Sequence, residues 1–485
     1  MSLTPYASAA ELARALDKRE VSAAELTEAA IARIDALDGP INAVCVKTYE
    51  RARASAKAAD ERRAKGERGA LLGVPMTVKE SFNLTGTPTT WGFAAAREFL
   101  PEADALAVER VERAGAVILG KTNVPPGLGD WQSYNEIYGV TNNPYDLGRS
   151  PGGSSGGSSA ALAAGFGALS LGSDIGGSLR VPAHFCGVYA HKPTYDLCPT
   201  RGHTPPGLPA LPGTLDLLVI GPMARSAWDL EALLDAIAGP DELDMGVGYR
   251  LALPPARADN LAGFRVLLLD KHPLVDTQDC VAEALAALGA GLERAGVRVA
   301  RHSHLLPDLR DGAQLYIHLV CATSSARVPD KAYAEMVAAA ERLSPDHDFL
   351  VALQLRGATT SYRDWFLANA RRNRFRAQWR ALFREFDAVV MPVTPTPAFP
   401  HDHEPEQFRR KLIVNGKPQE YYANVLSSGV ATLPGLPATA LPIGRSPAGL
   451  PIGAQIVGPW LEDRTPLKLA QLIEREFGGF VAPAV

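Results

Sequence analysis

Two runs decide how this chain is read: Gly152-Gly153-Ser154-Ser155-Gly156-Gly157-Ser158, and beyond it Gly172-Ser173-Asp174-Ile175-Gly176-Gly177-Ser178-Leu179-Arg180-Val181-Pro182-Ala183. Residues 148–187 are dominated by Gly, Ser and Ala, yet Leu, Ile and Arg interrupt them at fixed places, unlike a flexible Gly/Ser linker. Side chains this small imply close approach of backbone segments. The hydroxyls can donate and accept at once.

Working outward, Gly73-Val74-Pro75-Met76-Thr77-Val78 and Ala116-Val117-Ile118-Leu119 read as buried strands among helical stretches, the alternation of an α/β sheet. Lys79 ends the first of them. Ser8 to Glu11 and Ser22 to Glu25 fit the capping box, in which side chain and backbone satisfy each other's free donors, so two amphipathic helices are predicted at the start. Residues 196–222 are rich in Pro and Gly, and helical patterns dominate from about 240 to 350. Ala388-Val389-Val390-Met391 and Ala454-Gln455-Ile456-Val457 are strand-like again, separated by turns such as Leu433-Pro434-Gly435-Leu436-Pro437. No linker divides the 485 residues, so one domain is expected over 1–485, with N-terminal helices (1–65), a catalytic region (70–225), a mainly helical cover (226–380) and a C-terminal part completing the sheet (381–485).

Lys and Arg total 49 against 53 Asp and Glu, a formal net charge of -4, which gives no reason to expect nucleic acid as a ligand. No stretch approaches the roughly 20 apolar residues of a membrane span, and no basic-then-apolar leader opens the chain, so a cytoplasmic protein is expected. The five cysteines, Cys45, Cys186, Cys198, Cys280 and Cys321, are odd in number and widely spread, as reduced core or pocket residues would be. Oligomeric state is open to a homodimer.

The pattern from Gly152 to Ala183, with Gly73-Val74-Pro75-Met76-Thr77-Val78-Lys79 and Gly449-Leu450-Pro451-Ile452-Gly453, resembles the amidase signature family. The resemblance implies an α/β/α sandwich around one large mixed, mostly parallel twisted sheet. It also implies a catalytic triad with Ser178 as nucleophile, Ser154 as the serine after a cis peptide bond, and Lys79 as base, with neither metal nor cofactor. Asp174 and Arg180 match the family's loop-supporting positions. Glu80 departs from it, standing where Asp usually follows the lysine.

The chemistry asks for these residue types whatever the family. A serine hydroxyl is a weak nucleophile until a neighbouring base takes its proton. Lys79 must therefore be neutral, and lowering a lysine pKa by about 3 units costs about 4 kcal/mol, which burial in an apolar strand can supply. Ser154 can pass a proton between Lys79 and Ser178 and later toward the leaving amine. The N–H groups of Ile175, Gly176, Gly177 and Ser178 are the expected oxyanion hole, because glycines let the backbone close around a developing negative oxygen.

Other motifs carry less. Gly153-Ser154-Ser155-Gly156-Gly157 fits Gly-x-Ser-x-Gly, but no strand precedes it, and His304, His347 and His401 read as surface histidines. Gly115–Thr122 fits the P-loop expression, yet its variable places form an apolar strand and Asn123-Val124-Pro125-Pro126-Gly127 cannot open a phosphate-holding helix. His401-Asp402-His403-Glu404 is a loop of adjacent ligands without distant partners. The arginines of Arg371-Arg372-Asn373-Arg374-Phe375-Arg376 read as a solvated helix face.

The function expected on these grounds is a stand-alone amidase, an amidohydrolase acting through an acyl-enzyme on a small-molecule linear amide or ester. One alternative is the glutaminase, or A, subunit of a glutamyl-tRNA amidotransferase, which the resemblance also covers and which hands ammonia to a partner protein. Another is an inactive binding protein on the same scaffold. The stand-alone reading rests on Gly129-Asp130-Trp131-Gln132, where an indole stands in place of that glutaminase's small residues. Gly129, Asp130, Trp131 and Tyr134, with Tyr138, are the expected substrate wall.

Overall fold

In the computed structural model, which describes residues 4–326, 328–344 and 349–484, the capping boxes at Ser8 and Ser22 open helices Ala9–Asp17 and Ala23–Ile41. His347 lies outside the described residues. The strand-like runs assemble one eleven-stranded sheet. Its order is Val44–Lys47, Val117–Thr122, Pro75–Lys79, Leu169–Asp174, Val219–Ala224, Tyr189–Lys192, Ala438–Arg445, Pro451–Val457, Ala388–Pro392, Arg265–Leu268, Arg298–Ala300.

Side chains alternate across the strands and bury two apolar layers, as a period of two requires. Val266, Leu268 and Val390 join one core with Val108, Leu233 and Leu288, while Leu267, Val389 and Met391 join another with Trp379 and Leu382. Helices Leu106–Arg113, Ala227–Ile237, Asp279–Arg294 and Arg464–Phe477 thus cover one face. Gly156–Ala163, Arg180–Cys186, Leu309–Ser325, Tyr362–Glu385 and Asn424–Thr432 lie on the other. The result is the expected α/β/α sandwich around a large mixed sheet.

Two details differ from the expectation. Parallel pairing is confined to the flanks, where Pro75–Lys79 lies between two parallel neighbours and Arg265–Leu268 between two others, and the middle of the sheet is antiparallel. Arg265–Leu268 and Arg298–Ala300 also place strands inside the region read as mainly helical, because apolar runs this short do not reveal their period. Among the described residues no helix is long and apolar enough to cross a membrane.

The sheet brings the site together. Thr77 and Ser170 face each other across parallel neighbours and share a hydrogen bond of 2.9 Å, so Lys79 ends its strand beside Ser173 and Asp174. The peptide bond between Gly153 and Ser154 is cis, and Ser155 donates its N–H to the Ser178 carbonyl at 3.2 Å, joining the two Gly/Ser runs.

Candidate active site

Lys79 is wholly buried, with Nζ 2.7 Å from Ser154 Oγ and 2.9 Å from Ser173 Oγ. Burial drives its ammonium pKa down to about 7, with the negative charge of Asp174 opposing the fall. A lysine poised there holds a large neutral fraction at neutral pH. Ser178 stands at the start of helix Arg180–Cys186 with slight exposure, and its hydroxyl makes no hydrogen bond among the described residues. The structure therefore joins Lys79 to Ser154 directly and brings Ser178 beside them through the backbone of Ser155.

Ser173 lies within the motif but carries no mark of its own in the sequence. Ser173 is the last residue but one of strand Leu169–Asp174, three places from Ser170, so alternation alone sets it on the opposite face from the Ser170–Thr77 contact, and only its hydrogen bond with Lys79 Nζ reveals it.

The loop between the strand and Ser178 is held by a buried ion pair. Arg180 grips Asp174 with Nε and Nη2 at 3.0 and 2.9 Å, and spends its other N–H groups on Ser428 O, Gln455 Oε1 and Thr432 Oγ1. Burial alone would raise the Asp174 carboxyl pKa, but the charge and hydrogen bonds of Arg180 outweigh it and hold it low. Asp174 also accepts from the N–H of Leu179 at 3.1 Å and of Gly177 at 2.9 Å. The Gly177 N–H, expected in the oxyanion hole, is thus occupied, whereas those of Gly176 and Ser178 have no partner among the described residues. Gly177 sits at a φ of 94° with Ser428 Oγ pressed against the place a Cβ would take, so both backbone and space demand glycine.

Glu80 does not touch Lys79. Its carboxylate accepts from the N–H of Thr90 at 2.6 Å and of Trp91 at 2.9 Å, organising the next loop. Tyr138, expected in the substrate wall, points its hydroxyl at Glu80 instead. Lys121 of the P-loop look-alike is buried in strand Val117–Thr122 and donates to Thr89 Oγ1 at 2.8 Å.

The expected substrate wall is mostly engaged with itself. Asp130 pairs with Arg410 at 2.6 Å and accepts from Tyr421 at 2.6 Å and Tyr134 at 3.1 Å, while Gly129 O accepts from Gln407 at 2.8 Å. Tyr134 stacks on His403, which binds that histidine into the same cluster. Only Trp131 reaches the candidate centre, donating from Nε1 to Gly176 O at 2.8 Å.

The chain belongs to the amidase family, whose family model matches residues 25–467. Members of this family act on carbon–nitrogen bonds, and this chain shares that class. It is 36% identical to the A subunit of the glutamyl-tRNA(Gln) amidotransferase of Anaeromyxobacter sp. (strain K), over 96% of this chain and 95% of that protein. Further relatives at 31 to 35% identity, among them that of Thermus thermophilus, carry the same name. The solved A subunit from Thermotoga maritima superposes with a TM-score of 0.78 at 25% identity, covering 100% of this chain and 99% of that one. A chain from a vestigial protein complex bearing on the origin of an s-triazine catabolic enzyme reaches 0.81 at 31% identity, covering 97% and 98%.

These likenesses correct two expectations. The stand-alone, small-molecule amidase gives way to the alternative, because full-length relatives named as amidotransferase subunits outweigh a single indole. The expectation of a small-molecule amide or ester substrate, no nucleic acid and at most a homodimer gives way with it, since the relatives are named as subunits of a glutamyl-tRNA(Gln) amidotransferase. The indole misleads because Trp131 spends its polar edge on the protein's own loop. Net charge misleads on the second point, because it describes the average surface of one chain and not an assembly.

Proposed function

We propose that this chain is the glutamine-hydrolysing subunit of an amidotransferase, cleaving the side-chain carboxamide of glutamine and passing the ammonia to a partner protein that amidates glutamate on tRNA. The observation that carries this reading is the likeness to the amidotransferase A subunit over 96% of the chain. The arrangement of Lys79, Ser154 and Ser178 supports the chemistry.

In this reading Lys79 reacts in its neutral form, with two N–H groups and one lone pair. Nζ is within hydrogen-bond distance of both Ser154 and Ser173, so in the neutral amine one N–H can stay on Ser173 while the lone pair is turned to receive the Ser154 proton. Ser178 Oγ attacks the carboxamide carbon as its proton moves to Ser154 and the Ser154 proton moves to Lys79. The former carbonyl oxygen takes the electron pair and is met by the N–H groups of Gly176 and Ser178. Collapse of that intermediate breaks the C–N bond while the relay runs backward and protonates the leaving nitrogen, releasing ammonia and an ester on Ser178. Water then attacks the ester along the same relay, giving glutamate and restoring Ser178.

The test is ammonia release from glutamine by the purified chain, alone and co-expressed with its partner subunits, together with conversion of glutamyl-tRNA(Gln) to glutaminyl-tRNA(Gln). The reading expects both activities in the assembly and loss of both in Ser178→Ala. An assembly that forms no glutaminyl-tRNA and a chain that cleaves simple amides but never glutamine would overturn it.

A further inference from the structure

The loop that must stabilise the oxyanion is fixed from behind, by groups that touch its carbonyls. In a trans peptide unit the C=O of one residue and the N–H of the next lie in one plane and point in opposite directions. A donor placed on the carbonyl therefore sets where the N–H on the far side is aimed. Tyr316 donates its hydroxyl to Ile175 O at 2.6 Å, which fixes the unit carrying the Gly176 N–H. Trp131 donates from Nε1 to Gly176 O at 2.8 Å, and the other end of that unit, the Gly177 N–H, is taken by Asp174 at 2.9 Å. Both peptide planes flanking Gly176 are held, so the direction of its own N–H, which no described residue accepts, is held with them.

Packing on Gly176 itself does not supply this. The nearest atoms to the place of its missing Cβ are Val425 Cγ2 at 3.5 Å, the Tyr316 hydroxyl at 3.9 Å and a Trp131 ring carbon at 4.0 Å. Two of those three belong to the donors.

The donors are themselves anchored at a distance from the loop. Tyr316 comes from helix Leu309–Ser325, is wholly buried, and lies so close to Gly429 that a Cβ there would collide with its ring. Burial raises its phenol pKa, which keeps the hydroxyl a donor across the working pH range. Trp131 is edge-on to Tyr421 and Tyr422 with centroids 5.4 and 5.5 Å away, and its neighbour Asp130 is pinned by Arg410 and Tyr421.

We infer that Tyr316 and Trp131 are positioning residues that aim the Gly176 N–H at the oxyanion. The inference rests on the site reading proposed above, with Ser178 as nucleophile, and not on glutamine as substrate. It makes the indole a preorganising donor, which explains why a bulky residue is accommodated beside the catalytic loop.

Tyr316→Phe and Trp131→Phe each delete one donor and keep an aromatic ring. The probe is a fluorophosphonate, whose phosphoryl oxygen takes the oxyanion's place when Ser178 is labelled, so the rate of labelling reads the hole without any choice of amide. Since losing a direct oxyanion donor costs about a hundredfold or more, misaiming one is expected to slow labelling by about tenfold or more in either variant. Where glutamine turnover is measurable, kcat should fall with KM unchanged, and the acid limb of the pH profile should stay where it is, because Lys79 is untouched. Labelling of both variants within twofold of the unaltered protein would overturn the inference. So would a loss confined to KM, which would place the two rings against substrate. An unaltered protein labelled at Ser178 but inactive on glutamine would sink the substrate reading and leave this inference standing; failure to label Ser178 at all would overturn both.

Discussion

Lys79 Nζ lies between two hydroxyls, 2.7 Å from Ser154 and 2.9 Å from Ser173, with no carboxylate of the described residues in contact. A buried lysine so placed keeps little of the stabilisation that an ion pair would give its ammonium, and its pKa falls to about 7. The proton traffic assigned to this site depends on that fall.

The first prediction concerns pH. The base must be neutral, so kcat/KM for amide cleavage should rise with pH through about 7 and level off above it. Lys79→Met should abolish amide turnover while an activated ester, whose leaving group needs no proton, loses clearly less. Equal losses on both substrates would remove Lys79 from the relay.

Folding stability should carry the same signature. The folded-state pKa of Lys79 lies below its ordinary value of 10.5, so between about pH 7 and 10.5 the unfolded chain binds the extra proton and stability rises with pH. Lys121 and Lys192, lowered to about 8 and about 7 by burial, act in the same direction. The denaturation midpoint of the unaltered protein should therefore rise relative to that of Lys79→Met as pH rises through this window, and a constant difference would contradict it.

Ser173→Ala should leave the fold intact, because one hydroxyl is lost, but it frees a Lys79 N–H and lets the lone pair swing away from Ser154. The expected result is a kcat about tenfold lower with KM unchanged, a part of the roughly hundredfold or more that a positioned acid–base group contributes. Ser173→Thr should restore most of it. If Ser173→Ala turned over normally, the hydroxyl would have no part in aiming Lys79.

Arg180→Met leaves the Asp174 carboxylate buried without its cation. Breaking one side of a buried pair costs about 3–5 kcal/mol, so a large drop in Tm is expected together with loss of activity. A replacement of both partners, Asp174→Asn with Arg180→Met, should recover part of the stability and none of the activity, since Gly177 and Leu179 would lose their charged acceptor. A single variant as stable as the unaltered protein would contradict this account of the pair.

Much of this site could be read in advance because motif residues sit where the chain has no freedom. The run around Gly177 is fixed by backbone conformation and by Ser428 pressing on it, so glycine there is informative. The Lys79 strand showed itself by its apolar run, as did Ala388–Pro392. Strands Arg265–Leu268 and Arg298–Ala300 did not, being four and three residues long and set among helices. The loop's outer support was hidden for another reason: Tyr316 reaches Ile175, and Arg410 and Tyr421 reach Asp130, across sequence separations of 141 to 291 residues, which no local pattern reports. An indole near a catalytic loop suggests a substrate wall from sequence, and only the Nε1 contact with Gly176 shows where its hydrogen bond goes.

In the function proposed for this chain, Ser178 carries the acyl group during glutamine hydrolysis. The most direct measurement is peptide mapping by mass spectrometry after acid quenching of the assembled protein during turnover of glutamine. A γ-glutamyl ester is expected on the peptide containing Ser178, absent in Ser178→Ala. Glutamine turnover with no adduct, or an adduct on Ser155 in place of Ser178, would contradict it.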